Sequence, residues 1–424
     1  MNEIVMNGLE KTIYEEKLGN GLEIIYVPYE DKNNYIITYG VRFGSEITEF
    51  TPFKSSKSQK VPAGIAHFLE HKMFEQETGE DPFTFFSKTG TSANASTSYT
   101  NTKYFCYGTK NFEENLEYLI NFVNSPYYTD ENVEKEKGII AEEIKMYADI
   151  PDWKLDAKLK ECIYKIYPRR VDIAGKVSDI EKITKEDLYL CYKNFYVPNN
   201  MFIIISGNFN KDAASKIIHT KLDSKKSKTL PVVKNYKEII EVNKKYLELE
   251  SDVNVPKVGI GLKIYRKDLS IKEEYYLDLY LEMFKTILFG SSSEFREYAR
   301  VNNLTSSFGT EWETADKFKT LLITSNTTNP DLFIEKIKSL LLNHEIREED
   351  FNRIKKVWIA SEVKIIDYIE ATESNIYDDI LSYHKIYNDR VDIIRNMSLE
   401  TLNKLIKQID FNNISVVKMI SKKE

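Results

Sequence analysis

The sequence predicts an α+β protein of 424 residues that is built from two halves. Two observations lead to this prediction. Patterns typical of strands and helices are mixed along the chain, and they do not alternate strictly as they do in a doubly wound parallel sheet. A strand-then-helix succession near the start also returns after a polar segment in the middle, which indicates a weak internal duplication. We therefore expect two related domains, each a mostly antiparallel mixed sheet packed with helices.

The elements of the first half follow from local patterns of apolar residues. A glycine-containing turn at 19–21 precedes a β-branched run, and a second such run ends at the pair Gly44 and Ser45. Apolar residues at helical spacing then predict a helix, and Thr129 or Asp130 is placed to cap a later, charged helix. The predicted strands are 22–27, 35–43, 104–107 and 201–206, and the predicted helices are 64–75, 112–124 and 130–147.

A polar, lysine-rich and proline-broken segment divides the halves. It reads DSKKSKTLP from residue 223, which is typical of a solvated linker between domains. We expect an N-terminal domain at 1–222, a linker at 223–245 and a C-terminal domain at 246–424. The second half begins again with a strand at 257–264 and a helix at 272–288.

Composition excludes several classes of function. The chain has 59 Lys and Arg against 66 Asp and Glu, a formal net charge of −7, so it lacks the basic surface of a nucleic-acid-binding protein. Its apolar runs are too short to cross a bilayer, and no signal peptide is evident. Three cysteines without a CxxC pair are typical of a reduced protein, so we expect a cytoplasmic location.

The spacing of two histidines is the strongest indication of a metal-binding site in the sequence. His67 and His71 are one helical turn apart, with Glu70 between them, in a chain of five histidines. The three side chains share one face of a helix. Two imidazoles so spaced can bind one zinc ion at about 2.0–2.1 Å, and the carboxylate can reach a water in the same site. This is the pattern H-x-x-E-H, the reverse of H-E-x-x-H.

A catalytic zinc needs a third protein ligand, and an acidic helix is the best source for it. Glu136 and Glu143 lie seven residues apart and therefore on the same face, whereas Glu142 points about 100° away from Glu143. Because most glutamates are simply surface residues, spacing alone does not decide whether this helix provides the ligand.

Four segments resemble the pitrilysin/insulinase/mitochondrial processing peptidase family. Residues 64–74 (GIAHFLEHKMF) resemble its zinc helix, 90–97 (GTSANAST) its Asn-Ala-x-Thr strand, 136–143 its distal glutamate helix, and 195–201 (FYVPNNM) the segment before a late strand. The likeness runs in order along the whole chain. The length resembles the bacterial half-size, two-domain members, and the Gram-positive processing-protease-like proteins among them.

The resemblance implies a role for each residue of the motif. His67, His71 and Glu143 would be the zinc ligands, and Glu136 would support the site from outside the ligand shell. Glu70 would be the general base that takes a proton from the attacking water. The family's fold and its use of zinc are likewise what the resemblance implies.

The resemblance also assigns the substrate strand and reveals a departure. Asn94 and Ala95 would lie on an edge strand that pairs with an extended peptide. Active assemblies of the family use an Arg and a Tyr seven residues apart in a C-terminal domain, but here those positions hold Ala299 and Ser306. The nearby Arg296, Tyr298 and Arg300 are out of register.

We therefore predict a zinc endopeptidase that cleaves peptides or unfolded segments inside a closed chamber. Its partner would be a second family subunit without zinc ligands that supplies the Arg–Tyr pair; a homodimer is the alternative. Two other functions remain open: a non-catalytic scaffold, and a peptide-binding maturation subunit in which zinc is structural. Dinucleotide, nucleotide and serine-hydrolase motifs are absent from the sequence.

Overall fold

The computed structural model describes residues 1–422. Its strands are β1 (Asn2–Val5), β2 (Thr12–Lys17), β3 (Glu23–Pro28), β4 (Tyr35–Val41), β5 (Glu49–Thr51), β6 (Gln59–Lys60), β7 (Ser92–Thr97), β8 (Thr102–Gly108), β9 (Met201–Gly207), β10 (Val232–Val233), β11 (Tyr246–Ser251), β12 (Lys257–Tyr265), β13 (Ser307–Ala315), β14 (Phe318–Asn326) and β15 (Ile414–Ser421). All strands predicted from the sequence are present, within a few residues at each end.

Helices cover most of the remaining chain. They are α1 (Ile65–Met73), α2 (Pro82–Lys88), α3 (Phe112–Val123), α4 (Asp130–Ala148), α5 (Pro151–Ile163), α6 (Val177–Ile180), α7 (Lys185–Phe195), α8 (Lys211–Leu222), α9 (Ile271–Phe289), α10 (Glu294–Val301), α11 (Pro330–Leu342), α12 (Glu348–Ile365), α13 (Ile369–Tyr383), α14 (Arg390–Asn396) and α15 (Leu399–Ile406). Short 3₁₀ turns lie at Pro168–Arg170 and Pro198–Asn200. Within residues 1–422, none of the helices has the length and apolar character that a bilayer crossing requires.

The first compact unit is built on a seven-stranded sheet. The order of its strands is β1-β2-β3-β9-β4-β8-β7, and β3 and β9 are parallel while the other neighbours are antiparallel. The central strands β4 and β9 are buried along their whole length, as their continuous β-branched and aromatic runs predict. A small sheet of β10, β5 and β6 also belongs to this unit.

Both faces of the seven-stranded sheet are covered by helices. One face packs against α1, α3 and neighbouring helices to form the larger apolar core. On the other face, Ile376 and Ile380 of α13 pack with Ile25, Phe202 and Ile204 of the sheet. Burial of a large aliphatic side chain contributes about 1.5–3 kcal/mol, so α13 stabilises this face substantially.

The second compact unit is built on a five-stranded sheet in the order β11-β15-β12-β14-β13. Strands β11 and β15 are parallel, and the other pairs are antiparallel. Strand for strand, this order and these directions repeat β3-β9-β4-β8-β7 of the first sheet. Leu155, Leu159 and Ile163 of α5 pack on one face of this sheet with Val417 and Met419. The repeated topology is what an internal duplication would produce.

The compact units are not contiguous in sequence. The first contains Met1–Ile144, Asp172–Asn235 and Glu362–Val391, and the second contains Lys145–Val171, Tyr236–Ser361 and the chain from Asp392 onward. The mixed, mainly antiparallel sheets packed with helices confirm the predicted α+β class. The domain limits at 1–222, 223–245 and 246–424 stay a prediction.

Candidate metal centre

Helix α1 presents His67, Glu70 and His71 on one face because its other residues anchor it in the core. Ile65, Phe68 and Leu69 are fully buried on the opposite side. The two imidazole rings lie in an edge-to-face arrangement, with their centroids 4.6 Å apart and an interplanar angle of 63°. This is the arrangement that the spacing of the motif predicts.

Gly64 fixes the point at which α1 begins. Its φ of 86° lies in the left-handed region, and an added Cβ would clash with the carbonyl oxygen of Ala174 and with Ile180. Glycine is the residue that adopts this conformation without steric strain. The direction of the motif helix therefore depends on a glycine held against the chain at Ala174.

Helix α4 brings Glu143 to the two histidines. Glu143 Oε2 lies 3.5 Å from Nε2 of His71 and 3.8 Å from Nε2 of His67. One ligand atom from each of the three residues lies within 4.8 Å of the other two. At the start of α4, Thr129 Oγ1 accepts a 3.1 Å hydrogen bond from the backbone N–H of Asn132, as the predicted cap requires.

These three donors fit a zinc ion. Zinc bonds of about 2.0–2.2 Å in a tetrahedral arrangement place ligand atoms roughly 3.3–3.6 Å apart, close to the two His–Glu separations. Burial, and next the neighbouring His71, lowers the pKa of His67 to about 3. His67 is therefore neutral at physiological pH, which is the form that binds metal. The donor set of two imidazoles and one carboxylate suits zinc.

Glu136 contacts Nδ1 of His71, the ring nitrogen that does not face the candidate metal position. Its Oε1 lies 3.0 Å from His71 Nδ1, so the ionised carboxylate accepts the ring N–H and leaves Nε2 free to coordinate. Burial acts to lower the pKa of His71, but the hydrogen bond to Glu136 and the nearby carboxylates outweigh it, and the net pKa is raised. Burial opposes ionisation of Glu136, yet His71 and Lys72 hold its pKa below the usual range.

Glu70 lies beside the candidate metal position and is hydrogen-bonded to strand β7. Thr97 Oγ1 donates a 2.6 Å hydrogen bond to Glu70 Oε2. The Glu70 side chain is buried, and this burial raises the pKa of its carboxyl group. A carboxylate with a raised pKa is a better proton acceptor in the physiological range. The sequence reasoning assigned no role to Thr97, although its place in the Asn-Ala-x-Thr run was a signal.

Strand β7 carries Asn94 and Ala95 and forms one edge of the seven-stranded sheet. Asn94 is exposed, and its Oδ1 accepts a 2.8 Å hydrogen bond from the backbone N–H of Ala95. An open groove of about 720 Å³ is lined by Glu70, His71, Asn94 and further residues that include Phe74. The structure thus brings the predicted strand and the motif helix to one groove; a substrate role of Asn94 and Ala95 stays a prediction.

Glu142 and the three residues that are out of register with the Arg–Tyr pair lie on helices. Glu142 is exposed on α4. Arg296, Tyr298 and Arg300 lie on α10, where Arg300 is paired with Glu297 of the same helix. Neither these residues nor their neighbours restore an Arg and a Tyr at the family spacing.

Two family models match the chain. The model described as "Insulinase (Peptidase family M16)" covers residues 55–175, which include the motif helix and α4. The model described as "Peptidase M16 inactive domain" covers residues 182–357.

One relative matches over nearly the full length, and another over about half of it. The uncharacterized zinc protease YmfH of Bacillus subtilis (strain 168) is 36% identical over 98% of this chain and 98% of its own. The zinc protease PqqE of Helicobacter pylori is 25% identical over 50% of this chain and 46% of its own.

Two solved structures have the same fold as this chain. An M16-like peptidase from Alicyclobacillus acidocaldarius superposes with a TM-score of 0.92 at 30% identity, covering 99% of this chain and 100% of that one. A protease from H. pylori shares the fold, with a TM-score of 0.83 at 19% identity and coverage of 96% and 99%. The glycine-directed motif helix, the glutamate from α4 and these full-length matches together show that the chain belongs to the insulinase family of peptidases, family M16.

Proposed function

We propose that this chain is a zinc-dependent endopeptidase that cleaves peptides or unfolded segments. The observation that carries the proposal is the convergence of His67, His71 and Glu143 next to the buried carboxylate of Glu70. A metal-ligand set and a separate, positioned base are both needed for metal-assisted hydrolysis. The relatives' names as zinc proteases support the same chemistry.

Each residue of the site has its own role in the proposed hydrolysis. Zinc, when bound, would polarise the peptide carbonyl and lower the pKa of water in the site. His67, His71 and Glu143 hold the ion, and Glu136 keeps His71 in the tautomer that coordinates through Nε2. Glu70 takes the proton of the attacking water and delivers it to the leaving amine.

The peptide would bind as an added strand beside β7. The backbone groups of Asn94 and Ala95 on this edge would pair with an extended substrate. Glu70 is tied to the same strand through Thr97, so a peptide paired with β7 lies near the base. Such a pairing needs an extended backbone with unpaired N–H and C=O groups, which an unfolded segment offers along its length and most of a folded protein does not.

A partner subunit would complete the enzyme. The family's Arg and Tyr positions hold Ala299 and Ser306 here, so a second family subunit without zinc ligands would provide that pair inside a closed chamber. We expect the purified chain to cleave unstructured peptides only when it is mixed with such a partner, encoded next to it. Full activity of the chain alone would reject the heterodimer and favour a homodimer or a monomer. A reduced, cytoplasmic location is part of this proposal.

The second candidate is a non-catalytic scaffold or a peptide-binding maturation subunit. The missing Arg–Tyr pair favours it, while the complete ligand set and the separate base favour catalysis. The deciding experiment measures zinc content and the hydrolysis of a quenched fluorescent peptide by the paired subunits, with and without a chelator. Stoichiometric zinc with chelator-sensitive cleavage supports the protease; bound zinc without cleavage supports the second candidate.

A further inference from the structure

Lys72 is a buried cation directly beside the candidate metal ligand His71. Its side chain is fully buried, with an exposed fraction of 0%, and it belongs to α1. Transfer of an ammonium group from water into a protein interior is costly unless carboxylates compensate its charge. A lysine in this position therefore requires specific partners.

Its partners connect it to the metal site. Lys72 Nζ forms an ion pair with Glu75 and lies 3.8 Å from Oε2 of Glu136. The other oxygen of Glu136, Oε1, lies 3.0 Å from Nδ1 of His71. The two oxygens of one carboxylate are thus contacted by two consecutive residues of α1.

We propose that Lys72 is a positioning residue of the metal centre, which acts on zinc through Glu136 and His71. A glutamate carboxylate can rotate about its terminal bond, and a single hydrogen bond leaves that rotation possible. The Lys72 ammonium near the second oxygen holds the plane of the carboxylate in the rotation that directs one oxygen at His71 and the other at Lys72. His71 in turn keeps the orientation in which Nε2 faces Glu143, 3.5 Å away. The inference rests on the zinc site of the proposed function.

A simpler role would be an ion pair that only joins α1 to α4. Lys160 shows what such a pair looks like elsewhere in the chain. It is nearly as buried, with 8% of its side chain exposed, and lies 2.9 Å from Asp156 and 3.1 Å from Glu313. Lys160→Met therefore removes a comparable buried ion pair in the second compact unit, which contains none of the three candidate ligands, and is the matched control.

The test measures the zinc dissociation constant of metal-free protein by competition with a chromogenic chelator. Loss of a residue that orients a metal ligand weakens binding about 10–100-fold. We expect Lys72→Met to weaken zinc binding about tenfold, and Lys160→Met to leave it unchanged. In a Glu136→Gln background, Lys72→Met should add less than about a twofold change, because the residue through which it acts has been altered.

Two results would overturn the inference: an unchanged zinc affinity in Lys72→Met, or an equal loss with and without Glu136→Gln. Circular dichroism and thermal unfolding of the metal-free variants establish that they are folded. If Lys72→Met does not fold, Lys72→Gln, which retains a hydrogen-bond donor, is measured in the same two backgrounds and is expected to lose less affinity than the full tenfold. Tight zinc binding without peptidase activity would reject the proposed function and leave the role of Lys72 standing, whereas a wild-type chain that binds no zinc would refute both.

Discussion

Thr97 donates a 2.6 Å hydrogen bond to Glu70, and this bond joins the edge strand of the sheet to the proposed base beside the candidate metal ligands. The strand that we propose pairs with an extended peptide therefore also fixes one oxygen of the carboxylate. Hydrogen bonds to charged groups contribute about 1.5–3 kcal/mol, enough to hold a carboxylate in one orientation. The other oxygen is left to take up a proton.

Removal of this hydrogen bond should slow turnover without loss of metal. We expect Thr97→Val to lower kcat about tenfold, because 1.4 kcal/mol corresponds to a factor of ten in rate. The zinc content should remain stoichiometric, and Thr97→Ser should restore most of the rate because it keeps the hydroxyl group. Steady-state kinetics of the paired subunits would check this, and equal rates for Thr97→Val and wild type would show that the bond does not position the base.

Substitution of the base should separate catalysis from metal binding. Glu70→Gln keeps the shape of the side chain but cannot accept a proton, so we expect zinc to remain and kcat to fall about 10²–10⁴-fold. His71→Ala should lose both zinc and activity. Metal analysis beside a peptide assay distinguishes the two variants. A Glu70→Gln protein with normal turnover would remove Glu70 from the mechanism.

Glu143 is predicted to be a zinc ligand, so its substitution should lower the affinity of the protein for zinc. Glu143→Gln leaves two imidazoles and a weak neutral donor, so zinc should dissociate far more readily. The exposed neighbour Glu142 provides the control, since Glu142→Gln should bind zinc as the wild type does. Chelator competition measures both variants. Equal affinities for the two would place the third ligand elsewhere.

The metal-free protein should lose stability in mild acid because of His67. Burial lowers the pKa of His67 to about 3, whereas in the unfolded chain it is about 6.5. Between these values the unfolded chain binds more protons, so the free energy of unfolding falls as pH falls. From pH 7 to pH 5 this group should account for about 2 kcal/mol. Denaturant unfolding in the presence of a chelator measures the free energy of unfolding of the metal-free protein at each pH. This free energy should fall less steeply with decreasing pH in His67→Gln than in the wild type. Identical pH dependences would show that the loss does not come from His67.

Substitution by alanine should have opposite effects on the stability of the protein at Gly64 and at Gly138. At Gly64 the positive φ and the nearby Ala174 carbonyl make Gly64→Ala strained, so we expect a loss of at least about 1–3 kcal/mol. Gly138 lies within α4 with open space around it, and Gly138→Ala should be neutral or stabilise the protein by about 0.5–1 kcal/mol. Thermal unfolding of both variants checks the contrast, and a stable Gly64→Ala protein would contradict it.

Local periodicity predicted the adjacent strands β3, β9, β4 and β8 of the first sheet and the helices α1, α3 and α4, and it placed His67, Glu70 and His71 on one face of a helix. The spacing of His67 and His71 requires only helical geometry, so it could be read directly. Glu143 could not be chosen from spacing alone, because its approach to the histidines depends on how α4 packs against α1. The contact between Thr97 and Glu70 and the burial of Lys72 also depend on tertiary packing, which the periodicity of helices and strands does not encode. The family resemblance provided the expectation that Glu143 is a ligand, but it assigned no role to Thr97 or Lys72.

Helix α13 has a consequence for the order in which the protein forms during synthesis. Its isoleucines cover the face of the sheet that carries Ile25 and Ile204, yet α13 is made long after the last strand of that sheet has left the ribosome. Until then the nascent chain carries an uncovered apolar surface, which invites aggregation or capture by a chaperone. The part of the fold that bears the candidate metal ligands can therefore mature only after α13 has been synthesised.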